Sequence, residues 1–241
     1  MKTQQKLFDL VGGGLPRSTV QITGRSVEIR AFTVKELKLL MMAHTSETAQ
    51  EVQILNVLQQ CLVSDVDVKT LPSIDVEKLY VELYALSKGS SLVPIKFTCR
   101  NEHENGEECG HSVLVNLNLA QVETLHETIN KIDLGSLTLI MRQPTALEME
   151  YFEDSVKDRF NLAMRCVSHI ETITGDVYTT GVDIAPEELA EVVDMLTPDN
   201  LEKIMRFATE IPTLKCKVDV KCPNCGHTEA VELVGLADFF G

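Results

Sequence analysis

Four of the seven cysteines stand in a pattern that does chemistry. Cys222 and Cys225 form a C-x₂-C pair within CPNCGH, and Cys99 and Cys109 bracket a nine-residue polar insert, RNEHENGEE. The second cysteine of each pair is followed by Gly-His, at Gly110-His111 and Gly226-His227. Two thiolates at knuckle spacing need two further ligands, and a second knuckle supplies them. Together the four make the tetrahedral Cys₄ set of a structural zinc ribbon. Zinc is the expected cofactor, held by Cys99, Cys109, Cys222 and Cys225. With all four positions filled, no coordination site remains for a water nucleophile, so the metal's expected role is structural. His103 and His111 remain alternative ligands in place of one cysteine. A thiol redox role is the rival for the C-x₂-C pair. It would require Cys222 at a helix N-terminus, whereas TEAVELV alternates after the motif and predicts a strand. Cys61, Cys166 and Cys216 fall on apolar faces and read as buried structural thiols.

The elements that must position these ligands recur twice. Residues 18–32 alternate around Gly24 and predict a hairpin. TVKELKLLMMA follows, with Thr33 and Glu36 in a capping box and Val34, Leu37, Leu40 and Met41 on one helical face. Helices over about 48–63 and 75–88 come next, and then strands through Val93–Phe97 and Val113–Leu119. The second half begins with KIDLGSLTLIMR, alternating around Gly135, and a second capping box at Thr145 and Glu148. Arg30 and Arg142 precede each box by three residues. A long helix is expected to run to about Ser168, then helices over about 186–196 and 199–209, then a ribbon carrying CPNCGH. DVEKLYVEL in the first half answers NLEKIMRFA in the second. The expected fold is α+β: two tandem pseudo-repeats, each a hairpin, helices and half of a shared Cys₄ zinc ribbon. Residues 1–17 form an arm, 18–125 the first lobe and 126–241 the second.

Composition narrows the function classes. The formal net charge is −14, with Asp and Glu outnumbering Lys and Arg 36 to 22. Such a chain repels a phosphate backbone unless a local patch overrides the mean, so nucleic acid is not the expected ligand. A nucleic-acid-binding zinc ribbon is nevertheless the rival from another class, because Lys215, Lys217 and Lys221 lie near the knuckle, interleaved with Asp219, Glu229 and Glu232. No apolar run reaches the length of a membrane span, and the start lacks a signal-peptide core, so the expected compartment is the cytosol. There is no phosphate-binding glycine loop, nucleophile elbow or H-E-x-x-H pattern. The residues predict a protein that binds and assembles, not an enzyme.

IRAFTVKELKLLMMA, a hairpin ending in Arg that leads into a capped helix, resembles the opening motif of the T-even-type bacteriophage baseplate hub assembly proteins. The D-x-E-K-L…S-K-G helix, the cysteine knuckles and the aromatic end LADFFG are similar as well. The resemblance spans nearly the whole chain. It implies a myophage tail protein that builds the baseplate hub, as an assembly chaperone or a retained subunit, with hub or spike proteins as partners. It would work in the cytoplasm of the infected host and, if retained, in the virion tail. Phe239 and Phe240 are the candidate partner-binding residues: two adjacent aromatics at the chain end are either core or a docking point.

Overall fold

The computed structural model describes residues 14–42, 47–103, 106–149 and 152–240. The chain mixes helix and strand and divides into two compact units: Met1–Val68, Ile74–Leu125 and Thr213–Gly241 form the first, Lys69–Ser73 and His126–Pro212 the second. The break after residue 125 coincides with the boundary between the two sequence halves. The segment from Thr213 onward packs with the first unit, whereas the expected second lobe runs from 126 to 241. Most of the expected N-terminal arm, residues 1–13, lies outside the described residues. No helix among the described residues is long and apolar enough to cross a membrane.

The first unit opens with strands β1 (Arg17–Ile22) and β2 (Arg25–Arg30), paired antiparallel across a turn at Gly24. Gly24 has φ 77°, a left-handed conformation that glycine adopts without steric cost. The period-2 pattern buries Val20, Ile22, Val27 and Ile29 on one face. Helices α1 (Val34–Met42), α2 (Glu47–Cys61) and α3 (Ser73–Lys88) follow. The buried face of α1 is not the expected apolar one, since Val34 and Met41 are exposed while Glu36 and Leu40 are buried. Arg30 causes this inversion. Its guanidinium donates to Glu36 at 2.6 Å, to the Gln60 carbonyl at 2.8 Å and to the Ala31 carbonyl at 3.0 Å. A neutralised carboxylate at this position tolerates burial, so the helix rolls it inward.

Two further hairpins complete the unit. Strand β3 (Leu92–Thr98) pairs with β4 (Ser112–Asn118) as a two-stranded ribbon. After β5 (Glu123–Thr124), the chain leaves the unit and returns as β10 (Leu214–Lys221) and β11 (Thr228–Val234). Strand β10 lies between β11 and β5. Val93, Leu117, Leu119, Leu214, Cys216, Leu233 and Phe239 pack with Ile74 and Val81 of α3 into one core. Glu77 of α3 fastens β10 from inside: Thr213 Oγ1 donates to Glu77 Oε1 at 2.9 Å and the Leu214 N–H donates to Oε2 at 2.6 Å. Burial pushes the Glu77 carboxyl up to about 7, against these donors and Lys78, which pull it down. Because the folded value lies above the ordinary 4.5, the stability linked to this group is fully present below that value. It is lost as pH rises through about 7. The urea midpoint of the first unit should therefore fall between about pH 5 and about pH 8, and Glu77→Gln should flatten that slope. An unchanged slope in the variant would exclude Glu77 as its source.

The last helix, α8 (Gly235–Phe240), carries the two phenylalanines of the aromatic end. Phe239 is 1% exposed in the core, and the Phe240 ring lies 5.0 Å from Tyr80 and 4.7 Å from Tyr84, centroid to centroid. Tyr80 and Tyr84 are one helical turn apart on α3 and form the seat for this end of the chain. Phe239 is a core residue, and Phe240 is partly buried against that core.

The second unit is built on a four-stranded antiparallel sheet: β6 (Lys131–Asp133), β7 (Leu137–Met141), β8 (Val167–Thr172) and β9 (Val177–Thr179), in that order. Helices α4 (Ala146–Met149), α5 (Val156–Arg165), α6 (Pro186–Asp194) and α7 (Pro198–Thr209) accompany it. Leu139, Leu162, Ala163, Cys166, Leu189, Ile204 and Phe207 belong to its core. The long helix expected after Thr145 is two helices. Asp154 takes φ 55°, and Ser155 then caps α5 by accepting from the Asp158 N–H. Strand β8 begins at Val167, just inside the expected end of the long helix at about Ser168, and carries His169. Arg142 repeats the arrangement of Arg30: it donates to Glu148 at 2.6 and 2.8 Å, to the Arg165 carbonyl at 3.0 Å and to the Gln143 carbonyl at 3.3 Å.

Candidate metal centre

The two ribbons β3–β4 and β10–β11 bring their turns together within the first unit. Each ribbon closes in the same way. The Cys99 N–H donates to the His111 carbonyl at 2.9 Å, and the Cys222 N–H donates to the His227 carbonyl at 2.8 Å. Inside each closure the glycine N–H returns to the first cysteine: Gly110 to the Cys99 carbonyl at 3.0 Å, and Gly226 to the Cys222 carbonyl at 2.9 Å. Both glycines are left-handed, at φ 61° and 75°, so Cys-Gly is what lets each chain curl back over its thiol. The longer insert of the first turn folds on itself. The Cys109 N–H bonds to the Asn101 carbonyl at 2.8 Å, and Glu102 bridges Glu108, which restores Cys109 to knuckle distance of Cys99.

The four sulfurs all lie within 4.8 Å of one another. Cys99 Sγ is 3.7 Å from Cys225 Sγ, and Cys109 Sγ is 3.8 Å from Cys222 Sγ. A disulfide would need about 2.05 Å. A tetrahedron with metal–sulfur bonds of about 2.3 Å has sulfur–sulfur edges of about 3.8 Å, so the donor set fits a thiophilic divalent cation. Cys99, Val113, Val220 and Cys222 are buried beneath this cluster, with Phe97, Val115, Val218 and Val231 packed against them. Cys222 sits in a hairpin turn with strands on both sides, not at a helix N-terminus.

A family model described as T4 bacteriophage base plate protein matches residues 15–241. The chain belongs to that family. It is similar to the baseplate hub assembly protein gp26 of Enterobacteria phage T4, with 28% identity over 229 residues that cover 92% of this chain and 95% of that one. No solved structure matches it.

In this base plate family member the converging groups among the described residues are the four thiols. His103 and His111, the alternative ligands, are both exposed outside the four-cysteine cluster. The thiols do not share one electrostatic environment. The Asn224 side-chain amide and the His111 backbone pull Cys109 down to about 6. Cys99 is drawn down by the Asn101 backbone, but desolvation and the neighbouring thiols outweigh this and push it up to about 12. Four thiols this close cannot all ionise unless a cation compensates them. The ligand pattern in the sequence assigns no role to Asn101 or Asn224. The available signal was their common offset, two residues after the first cysteine of each pair. The lysines flanking the knuckle form no unbroken basic stripe, because Lys217 lies directly across the ladder from Glu232, 3.5 Å from its carboxylate. Cys61 and Cys166 are pushed up to about 12 by burial, consistent with inert structural thiols.

Proposed function

We propose that this protein serves assembly of the baseplate hub of a tailed bacteriophage through protein–protein contacts, as a chaperone or a subunit, with a structural zinc on Cys99, Cys109, Cys222 and Cys225. The observation that carries the assembly role is the similarity along almost the full length of both chains to a baseplate hub assembly protein. The sulfur–sulfur distances of 3.7 and 3.8 Å support zinc. Hub or spike proteins are the proposed partners, and the net charge of −14 favours basic faces on them. Zinc when bound supplies a fixed cross-link and no reaction step. We further read the chain as a tandem duplication. The matched closures of the two knuckles support this, as do the matched Arg30–Glu36 and Arg142–Glu148 pairs, each with a further bond to the end of the next long helix.

Host cells infected with phage lacking this protein should yield tails without baseplate hubs, and supplying the wild-type protein in trans should restore infectious particles. Normal particle yield without it would overturn the assembly role. Peptides of this chain in purified tails would mark a retained subunit; their absence from tails that required it would mark a chaperone.

A further inference from the structure

We propose that Asn101 and Asn224 form a crossed pair of sulfur-directed donors, each tying the outer metal ligand of the opposite knuckle to its own turn and strengthening metal retention. The inference rests on the reading of the four cysteines as zinc ligands. Each asparagine stands two residues after the first cysteine of its own knuckle, yet its amide serves the second cysteine of the opposite one. Asn224 Nδ2 lies 3.4 Å from Cys109 Sγ, and Asn101 Nδ2 lies 3.9 Å from Cys225 Sγ. The choice of sulfurs is not arbitrary. Cys99 and Cys222 are 3% and 1% exposed, while Cys109 and Cys225 are only partly buried. The crossed amides therefore reach the two sulfurs that solvent, protons and electrophiles can reach.

Four thiolates around one divalent cation carry a net double negative charge. An N–H directed at a sulfur disperses part of that charge and so strengthens the hold of the cluster on the metal. A donor from the opposite knuckle also ties the two turns to each other independently of the metal. A turn-forming asparagine would behave differently, because its loss would disturb its own knuckle. Outer partners of metal ligands typically account for about 10–100-fold in metal affinity.

The test uses the full-length protein loaded with zinc, and with cobalt for its thiolate-to-metal absorption. Asn101→Leu and Asn224→Leu remove the donor at similar size; Asn101→Asp and Asn224→Asp keep the shape and serve if a leucine variant fails to fold. Zinc retention against a chelator should weaken about 10–100-fold, more for the Asn224 variants, whose amide is nearer. Iodoacetamide labelling mapped by peptide mass should rise at Cys109 when Asn224 is changed, and at Cys225 when Asn101 is changed. Labelling that rises on the altered residue's own knuckle, or retention that stays within about twofold of wild type, overturns the crossed-donor role. Wild-type protein that takes up neither metal overturns the zinc reading and this inference with it. The cobalt spectrum of the wild type separates that failure from the first.

Discussion

Stripping the metal from the purified protein should unfold the first unit and leave the second folded. The four ligands come from two hairpins that lie far apart in sequence, β3–β4 and β10–β11. Between them the chain departs to build the second unit and returns. Loop closure over such a separation is costly, and under the proposed zinc ligation the thiolate–metal bonds would be the strongest interaction holding it shut. Apparent zinc free energies in small knuckles are roughly 10–16 kcal/mol, as large as the whole stability of an ordinary domain. The second unit has its own sheet and core, with no member of the cysteine cluster in it. Hydrogen exchange read by mass spectrometry should thus lose protection over β3, β4, β10 and β11 after chelation, while β6–β9 keep theirs. Cys222→Ser should reproduce the loss without chelator. Cys216→Ala, at a buried cysteine outside the cluster, should not. Full protection of the ribbons in protein shown to be metal-free would sink the structural-metal reading.

Much of this centre was legible in the sequence, because metal ligation and hairpins both leave short-range marks. C-x₂-C, the repeated Cys-Gly-His and the period-2 strands each rest on residues within one turn of each other, and the four thiols converge as the spacing implied. Gly24 and Gly135 likewise marked hairpin turns that their left-handed backbones require. What the sequence hid depends on distant partners. The helix expected to run to about Ser168 stops short of Val167, where pairing with β7 begins strand β8. Glu36 was legible as a capping-box acid, but its burial depends on Arg30. Two adjacent aromatics read as core or as a docking point; the seat that Tyr80 and Tyr84 of α3 make for Phe240 is set by a distant helix. The crossed asparagines are the extreme case: each is local to one knuckle in sequence and acts on the other.

Arg30→Met should cost the first unit about 3–5 kcal/mol, the range for breaking a buried ion pair by removing one partner. The Glu36 side chain is 5% exposed and the Arg30 side chain 23%, so the remaining carboxylate would have little water to replace the guanidinium. Burial alone would raise the Glu36 carboxyl. The Arg30 guanidinium and the Thr33 donors outweigh it and hold the group down at about 2. Its folded value lies below the ordinary 4.5, so its stabilisation is present above that value and is lost as pH falls through about 2. In the variant the sign reverses: a buried, unpaired carboxylate favours the protonated form, so mild acid should recover part of the lost stability. Glu148 is likewise held at about 2, against its own burial, by Arg142 and Thr145. That pair is more open, with Arg142 43% exposed, so solvent screens it and Arg142→Met should cost the second unit less. Denaturant midpoints of the two variants, followed separately by hydrogen exchange in each unit from neutral pH to about pH 3, give the comparison. Equal losses in the two units would mean that burial does not set the strength of these pairs. A larger loss for Arg142→Met would place the dominant anchor at its bond to the Arg165 carbonyl, the end of α5, rather than at the carboxylate.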